Sequence, residues 1–148
     1  MKPQLITTKD GPHTLYVEDL DEHYHSLFGA VTESKHVFID AGLKAITHSE
    51  IAILEIGFGT GLNAFLTLLE IKGSGKTVTY RGVAKYPLDT EILESLNYAS
   101  MFPGTESNYF QMLHNSPWNR EVVINQEFKL TKVRGDICSL NFQDQFDL

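Results

Sequence analysis

Gly57, Gly59 and Gly61 alternate with Phe58 and Thr60 in the middle of this 148-residue chain, and Glu55 stands two residues before the first of them. Glycines at this spacing permit a tight turn and let a ligand approach the backbone with no Cβ in the way. When a helix follows, its first N–H groups face the bound molecule. The spacing departs from G-x-G-x-x-G, because the third glycine comes one residue early. A carboxylate at Glu55 repels a pyrophosphate and pairs with an ammonium. The pattern therefore favours a cationic ligand such as S-adenosylmethionine over a dinucleotide. A Rossmann-type NAD or FAD oxidoreductase is the competing reading, and a glycine turn that binds nothing is the bland one.

Other reactive residue types say less. His13, His23, His25, His36 and His48 cluster early, and His23 and His25 share one face of an extended segment. They lack cysteine or acidic neighbours at ligand spacing, so they read as solvated surface residues rather than a metal site. Cys138 is the sole cysteine; it reads as a small buried residue rather than a nucleophile. It also excludes an internal disulfide framework, which makes a reducing cytoplasm the default. Among the aromatics, Tyr24 and Phe28 are the ones placed to meet a substrate base near the loop. Lys35, Lys85, Arg120, Lys129, Lys132 and Arg134 are scattered, and the net charge is −7, so no basic nucleic-acid surface is visible.

The elements that must hold the loop are legible. Residues 51–56 form a short apolar run, as in a parallel strand buried on both faces. After the loop, Leu62, Phe65, Leu66, Leu68 and Leu69 recur at helical spacing until Gly73 ends the pattern. Residues 77–83 read as a second strand. A helix follows Pro87, capped by Asp89 or Thr90, with Ile92, Leu93, Leu96 and Ala99 inward. Residues 105–116 read as a short helix, and 121–124 and 128–133 as strands. Residues 146–148 look like the start of another. Upstream, Lys9-Asp10-Gly11-Pro12 turns a hairpin over residues 4–17; residues 18–26 read as loop and 33–45 as helix. Strand, loop, helix, strand, helix, strand yields an α/β doubly wound, mostly parallel sheet of Rossmann-like type. Residues 1–50 would form a β-rich N-terminal extension and 51–148 the first part of the α/β domain, with no separate second domain. Composition (42% hydrophobic, 11% aromatic) is that of a globular chain, and no apolar run reaches the roughly 18 residues of a membrane span.

Leu54-Glu55-Ile56-Gly57-Phe58-Gly59-Thr60-Gly61-Leu62-Asn63 resembles the E-x-GFGTGLN signature of the MnmC/MnmD-type methyltransferases, which modify the wobble uridine of tRNA. Tyr24-His25-Ser26, Glu33 to Ile39, Lys85-Tyr86-Pro87-Leu88 and Gly135-Asp136-Ile137 resemble further segments of that family, in order. The resemblance implies methyl transfer from S-adenosylmethionine to the aminomethyl group at C5 of uridine-34. It implies that Glu55, Gly57, Phe58, Gly59, Thr60, Gly61 and Asn63 hold the methionine end of the cofactor. Position 84 with Lys85 would face the ribose, and Asp136 with Ile137 the adenine. It implies tRNA as partner and a flavin-dependent oxidoreductase acting in the same pathway.

Two departures stand out. The family's E-K-[YF]-P-L segment reads Ala84-Lys85-Tyr86-Pro87-Leu88 here, so the carboxylate that takes the ribose hydroxyls is absent. The family's catalytic D-x-F-x-P segment is expected beyond Leu148, which makes the chain read as the incomplete N-terminal portion of a larger domain. A catalytically incomplete S-adenosylmethionine-binding or interaction module is the alternative that these departures support.

Overall fold

The computed structural model describes residues 3–25 and 29–148; the expectations placed on Ser26 and Phe28 fall outside them. The hairpin forms as expected. Strand β1 (Gln4–Thr7) pairs antiparallel with β2 (His13–Val17). Gly11 takes a φ of 98° in the turn, and Thr8 Oγ1 donates to Asp10 Oδ1 at 2.6 Å. Residues 18–26, expected as loop, contain a 3-10 turn and a third short strand, β3 (Glu22–His23). The cause is a cross-strand ring pair, Tyr16 and His23, with centroids 4.7 Å apart. Beyond β3 the extension turns helical: α1 (Ala30–Glu33) widens into a π-helix over Ser34–Asp40. Helix was the right reading there, but the wider turn leaves no mark on a periodicity of 3.6.

The larger sheet has the order β4 (Glu50–Ile56), β5 (Thr77–Ala84), β7 (Phe128–Arg134), β6 (Glu121–Asn125). The first three are parallel and β6 is antiparallel. The registers Ile51–Val78–Phe128, Ile53–Tyr80–Leu130 and Glu55–Gly82–Lys132 line one buried face. Helix α2 (Leu62–Ile71) follows the glycine loop and packs there, with Asn63 reaching Glu55. Helix α5 (Thr105–Asn115) packs on the same side, where Lys132 reaches its last turn.

The opposite face departs from expectation. Strand β4 is not buried on both faces, since Ile56 is 64% exposed and Ala52 and Leu54 are half-buried. Among the described residues that face meets the 140–148 segment, where Arg81 pairs with Asp144 and lies over the rings of Phe142 and Phe146. A doubly wound sheet carries helices on both faces; the described helices cover one. Residues 147 and 148 run alongside β4: Asp147 N–H donates to the Ala52 carbonyl (2.7 Å) and Leu54 N–H to the Leu148 carbonyl (2.9 Å).

The single helix expected after Pro87 is broken into α3 (Thr90–Ser95) and α4 (Tyr98–Met101), with Leu96 extended between them. Asn97 explains the break. Its Oδ1 accepts from His13 N–H at 2.8 Å and its Nδ2 donates to the Gly11 carbonyl at 3.0 Å. Fastening Asn97 to the hairpin overrides the apolar periodicity of Ile92, Leu93, Leu96 and Ala99. Asp89 occupies the N-cap position of α3 but its side chain makes no capping bond.

Candidate functional site

The loop joins β4 to α2 at the carboxyl edge of the sheet. Gly57, Gly59 and Gly61 have φ of 91°, 51° and 73°. The N–H groups of Gly57 and Phe58 both donate to the Val83 carbonyl, at 2.9 and 2.8 Å, which ties the loop to the end of β5. Each glycine has a different neighbour. A Cβ at Gly57 would meet nothing within 4 Å, so this part of the loop is an open cradle. A Cβ at Gly59 would lie 2.9 Å from the Tyr24 ring, and one at Gly61 3.1 Å from His114 Nε2. Thus Tyr24, 37% exposed, packs on the loop from the N-terminal sheet.

Glu55 sits beneath the loop and is buried. Its Oε2 accepts from the Tyr80 hydroxyl at 2.8 Å and its Oε1 from Asn63 Nδ2 at 2.9 Å. Loss of water pushes its pKa up to about 7, against the pull of those two donors. The same burial, with Glu55 beside it, raises the Tyr80 phenol. Asn63 Oδ1 is buried and accepts no hydrogen bond.

Phe58 is 3% exposed, and its ring lies where a side chain on Gly82 would go: a Cβ there would be 2.2 Å from Phe58 Cδ2. The ring therefore stands between Glu55 and Lys132, which flank Gly82 in register. Lys132 is 2% exposed; its Nζ donates to the His114 carbonyl at 2.6 Å and lies 4.9 Å from the centre of the Trp118 ring. Burial lowers its pKa to about 8. His114 Nε2 is 3.0 Å from the Thr60 carbonyl, and burial followed by the Lys132 charge lowers its pKa to about 4. His25, expected at the surface, is half-buried with Nε2 3.4 Å from Thr60 Oγ1. Thr60 is thus met by two histidines, His25 from the segment after β3 and His114 from α5. A cavity of about 90 Å³ opens here, lined by Phe58, Gly59, Ala84, Tyr86, His114, Trp118 and Lys132 among others.

His114 and Lys132 were not singled out from sequence. The signal for Lys132 is the alternation Phe128, Leu130, Lys132, which puts a lysine on the apolar side of a strand. For His114 it is the i, i+4 spacing to Phe110, whose ring centroid lies 4.5 Å away.

The remaining expected residues gather at the ends of β5 and β7. Ala84 is 7% exposed and its carbonyl accepts from Gly135 N–H at 3.0 Å. Lys85 Nζ pairs with Asp136 Oδ2 at 2.7 Å, and Asp136 Oδ1 accepts from Cys138 N–H at 3.0 Å. The Lys85 contact holds the Asp136 carboxyl below the usual range and raises the lysine. Ile137 opens a 3-10 turn, Ile137–Ser139. Cys138, expected buried, is exposed, because that turn lies outside the core.

The chain is similar in fold to MnmC2. Its crystal structure, from Aquifex aeolicus, matches 91% of this chain with a TM-score of 0.69 and 24% identity. The matched part spans 43% of the Aquifex chain, so this chain covers less than half of that protein. No family model and no curated protein matches. Among the described residues, no helix is long and apolar enough to cross a membrane.

Proposed function

We propose that this chain holds S-adenosylmethionine and serves an N-methyltransferase of tRNA wobble-uridine modification, acting on the aminomethyl group at C5 of uridine-34. The observation that carries the proposal is the cradle made by the E-x-GFGTGLN segment: Gly57 faces open space, and beside it lies the buried, unpartnered acceptor Asn63 Oδ1. An ammonium-bearing ligand fits this end. Asn63 Oδ1 and the carboxyl of Glu55 would accept from it, and a cation within reach favours the ionised form of Glu55. Bound there, S-adenosylmethionine supplies an electrophilic methyl group. The chain's part is alignment and exclusion of water, since in-line transfer to an unprotonated amine needs little else from the protein. Tyr24 packs on the loop at Gly59, and Thr60 is met by His25 and His114.

The ribose end fits less well. Ala84 offers no acceptor, and Asp136, proposed for the adenine amine with Ile137, must share its oxygens with Lys85. These two features support the second reading, a binding module without catalysis. The proposal carries with it tRNA as partner, a flavin-dependent oxidoreductase acting in the same pathway, and a cytoplasmic setting. Thermal-shift titration ranks the ligands. S-adenosylmethionine is expected to raise Tm and NADH to leave it unchanged; the reverse would establish the oxidoreductase reading.

A further inference from the structure

Lys132 presents a problem in charge balance. It is buried, and among the described residues no carboxylate lies within ion-pair distance of it. Its recorded partners are one main-chain carbonyl, that of His114, and the face of Trp118. An ammonium has three N–H donors. The carbonyl takes one and the ring offers a diffuse attraction. The other charged groups nearby do not neutralise it. Glu55 is two strands away with the Phe58 ring between, Asp136 is committed to Lys85, and His114 is neutral. Ala84 is the diagonal neighbour of Lys132 on the same face of the sheet, and it carries no charge. Capping the end of α5 explains the carbonyl contact, but any neutral donor would cap it. Retaining a buried charge needs a counter-charge.

The cavity beside Lys132, about 90 Å³, is bounded by Phe58, Gly59, Ala84, His114 and Trp118. It has room for a carboxylate or phosphate head against the ammonium. We propose that this cavity, between the glycine loop and the end of β5, is an oxyanion site in which Lys132 holds a carboxylate or phosphate group of the ligand. The inference rests on the loop being a ligand cradle and not on which cofactor fills it. The oxyanion has two possible sources: the carboxylate at the amino-acid end of S-adenosylmethionine, whose ammonium would then lie on the Lys132 side of Phe58 rather than on Glu55, or a phosphate ester on a nucleotide.

Titration calorimetry separates them. The full chain and its Lys132→Gln and Lys132→Arg variants are titrated with S-adenosylmethionine, decarboxylated S-adenosylmethionine, adenosine monophosphate and adenosine. A carboxylate source predicts that the chain prefers S-adenosylmethionine over its decarboxylated form by about tenfold or more, the worth of one charge-assisted contact. A phosphate source predicts the same preference for the monophosphate over adenosine. Either preference should vanish in Lys132→Gln and persist in Lys132→Arg. Equal affinity within both ligand pairs for the unaltered chain overturns the proposal, even if the variants fail to fold. So does a preference that survives Lys132→Gln, which would leave Lys132 as a helix cap alone. Binding of the monophosphate with no binding of S-adenosylmethionine would uphold the oxyanion site and reject the methyltransferase reading.

Discussion

Phe58 keeps apart the two buried charges on the sheet. Glu55 and Lys132 flank Gly82 from the strands on either side of β5, about 9–10 Å apart at the usual strand spacing, and the Phe58 ring fills the place of the missing Gly82 side chain. Gly82→Ala is therefore expected to cost about 1–3 kcal/mol through overpacking, seen as a lower Tm in thermal denaturation. An unchanged Tm would show that the ring is free to move. The charges so separated give a second test. Glu55 has a raised folded pKa, so its contribution is present below about 4.5, its unfolded value, and is lost as pH rises through about 7. His114 has a lowered one, so its contribution is present above about 6.5 and is lost as pH falls through about 4. Each is worth about 3 kcal/mol at full extent, and between pH 4.5 and 6.5 they oppose one another. Urea denaturation should find stability nearly flat there in the unaltered chain. In Glu55→Gln it should rise with pH, and in His114→Gln it should fall. Parallel slopes in the two variants would contradict the assignment.

At the scale of elements, Asn97 joins the N-terminal hairpin to the helices that follow β5. Asn97→Ala leaves His13 N–H and the Gly11 carbonyl without their partner. The expected cost is about 1–3 kcal/mol, with faster hydrogen exchange at His13; protection equal to that of the unaltered chain would mean that the hairpin is held by other contacts. The same asparagine shows where sequence reading stops. The strands, the loop and α2 were legible because apolar periodicity and glycine spacing are local properties. The break between α3 and α4 was not, since its cause is a contact with a residue 84 positions away. Of the residues gathered at the candidate site, the glycines and Glu55 stood out by type and spacing, and Asn63 and Asp136 by the resemblance alone. The placing of Tyr24 on Gly59, the ion pair Lys85–Asp136 and the pairing of Thr60 with His25 and His114 arise from tertiary packing alone.

For the whole molecule, among the described residues, the helices pack on one face of the sheet and the 140–148 segment meets the other. On that second face Ala52 and Leu54, read from the sequence as buried, are half-buried and Ile56 is exposed. The site lies at the carboxyl edge of the sheet, where the glycine loop, the end of β5 and the start of the 137–139 turn converge, the place at which open α/β sheets bind ligands. Its two ends differ. The loop end has an open cradle at Gly57 and an unpartnered acceptor, while the β5 end has an alanine beside a buried lysine. A cofactor held by the first and poorly by the second should bind weakly and be improved by restoring the acid. Titration calorimetry with S-adenosylmethionine on the unaltered chain and on Ala84→Glu tests this most directly. Saturable binding is predicted for both, tighter in Ala84→Glu by about ten- to a hundredfold, the worth of a charge-assisted pair. Absence of binding in both, or equal affinity in the two, would contradict the account.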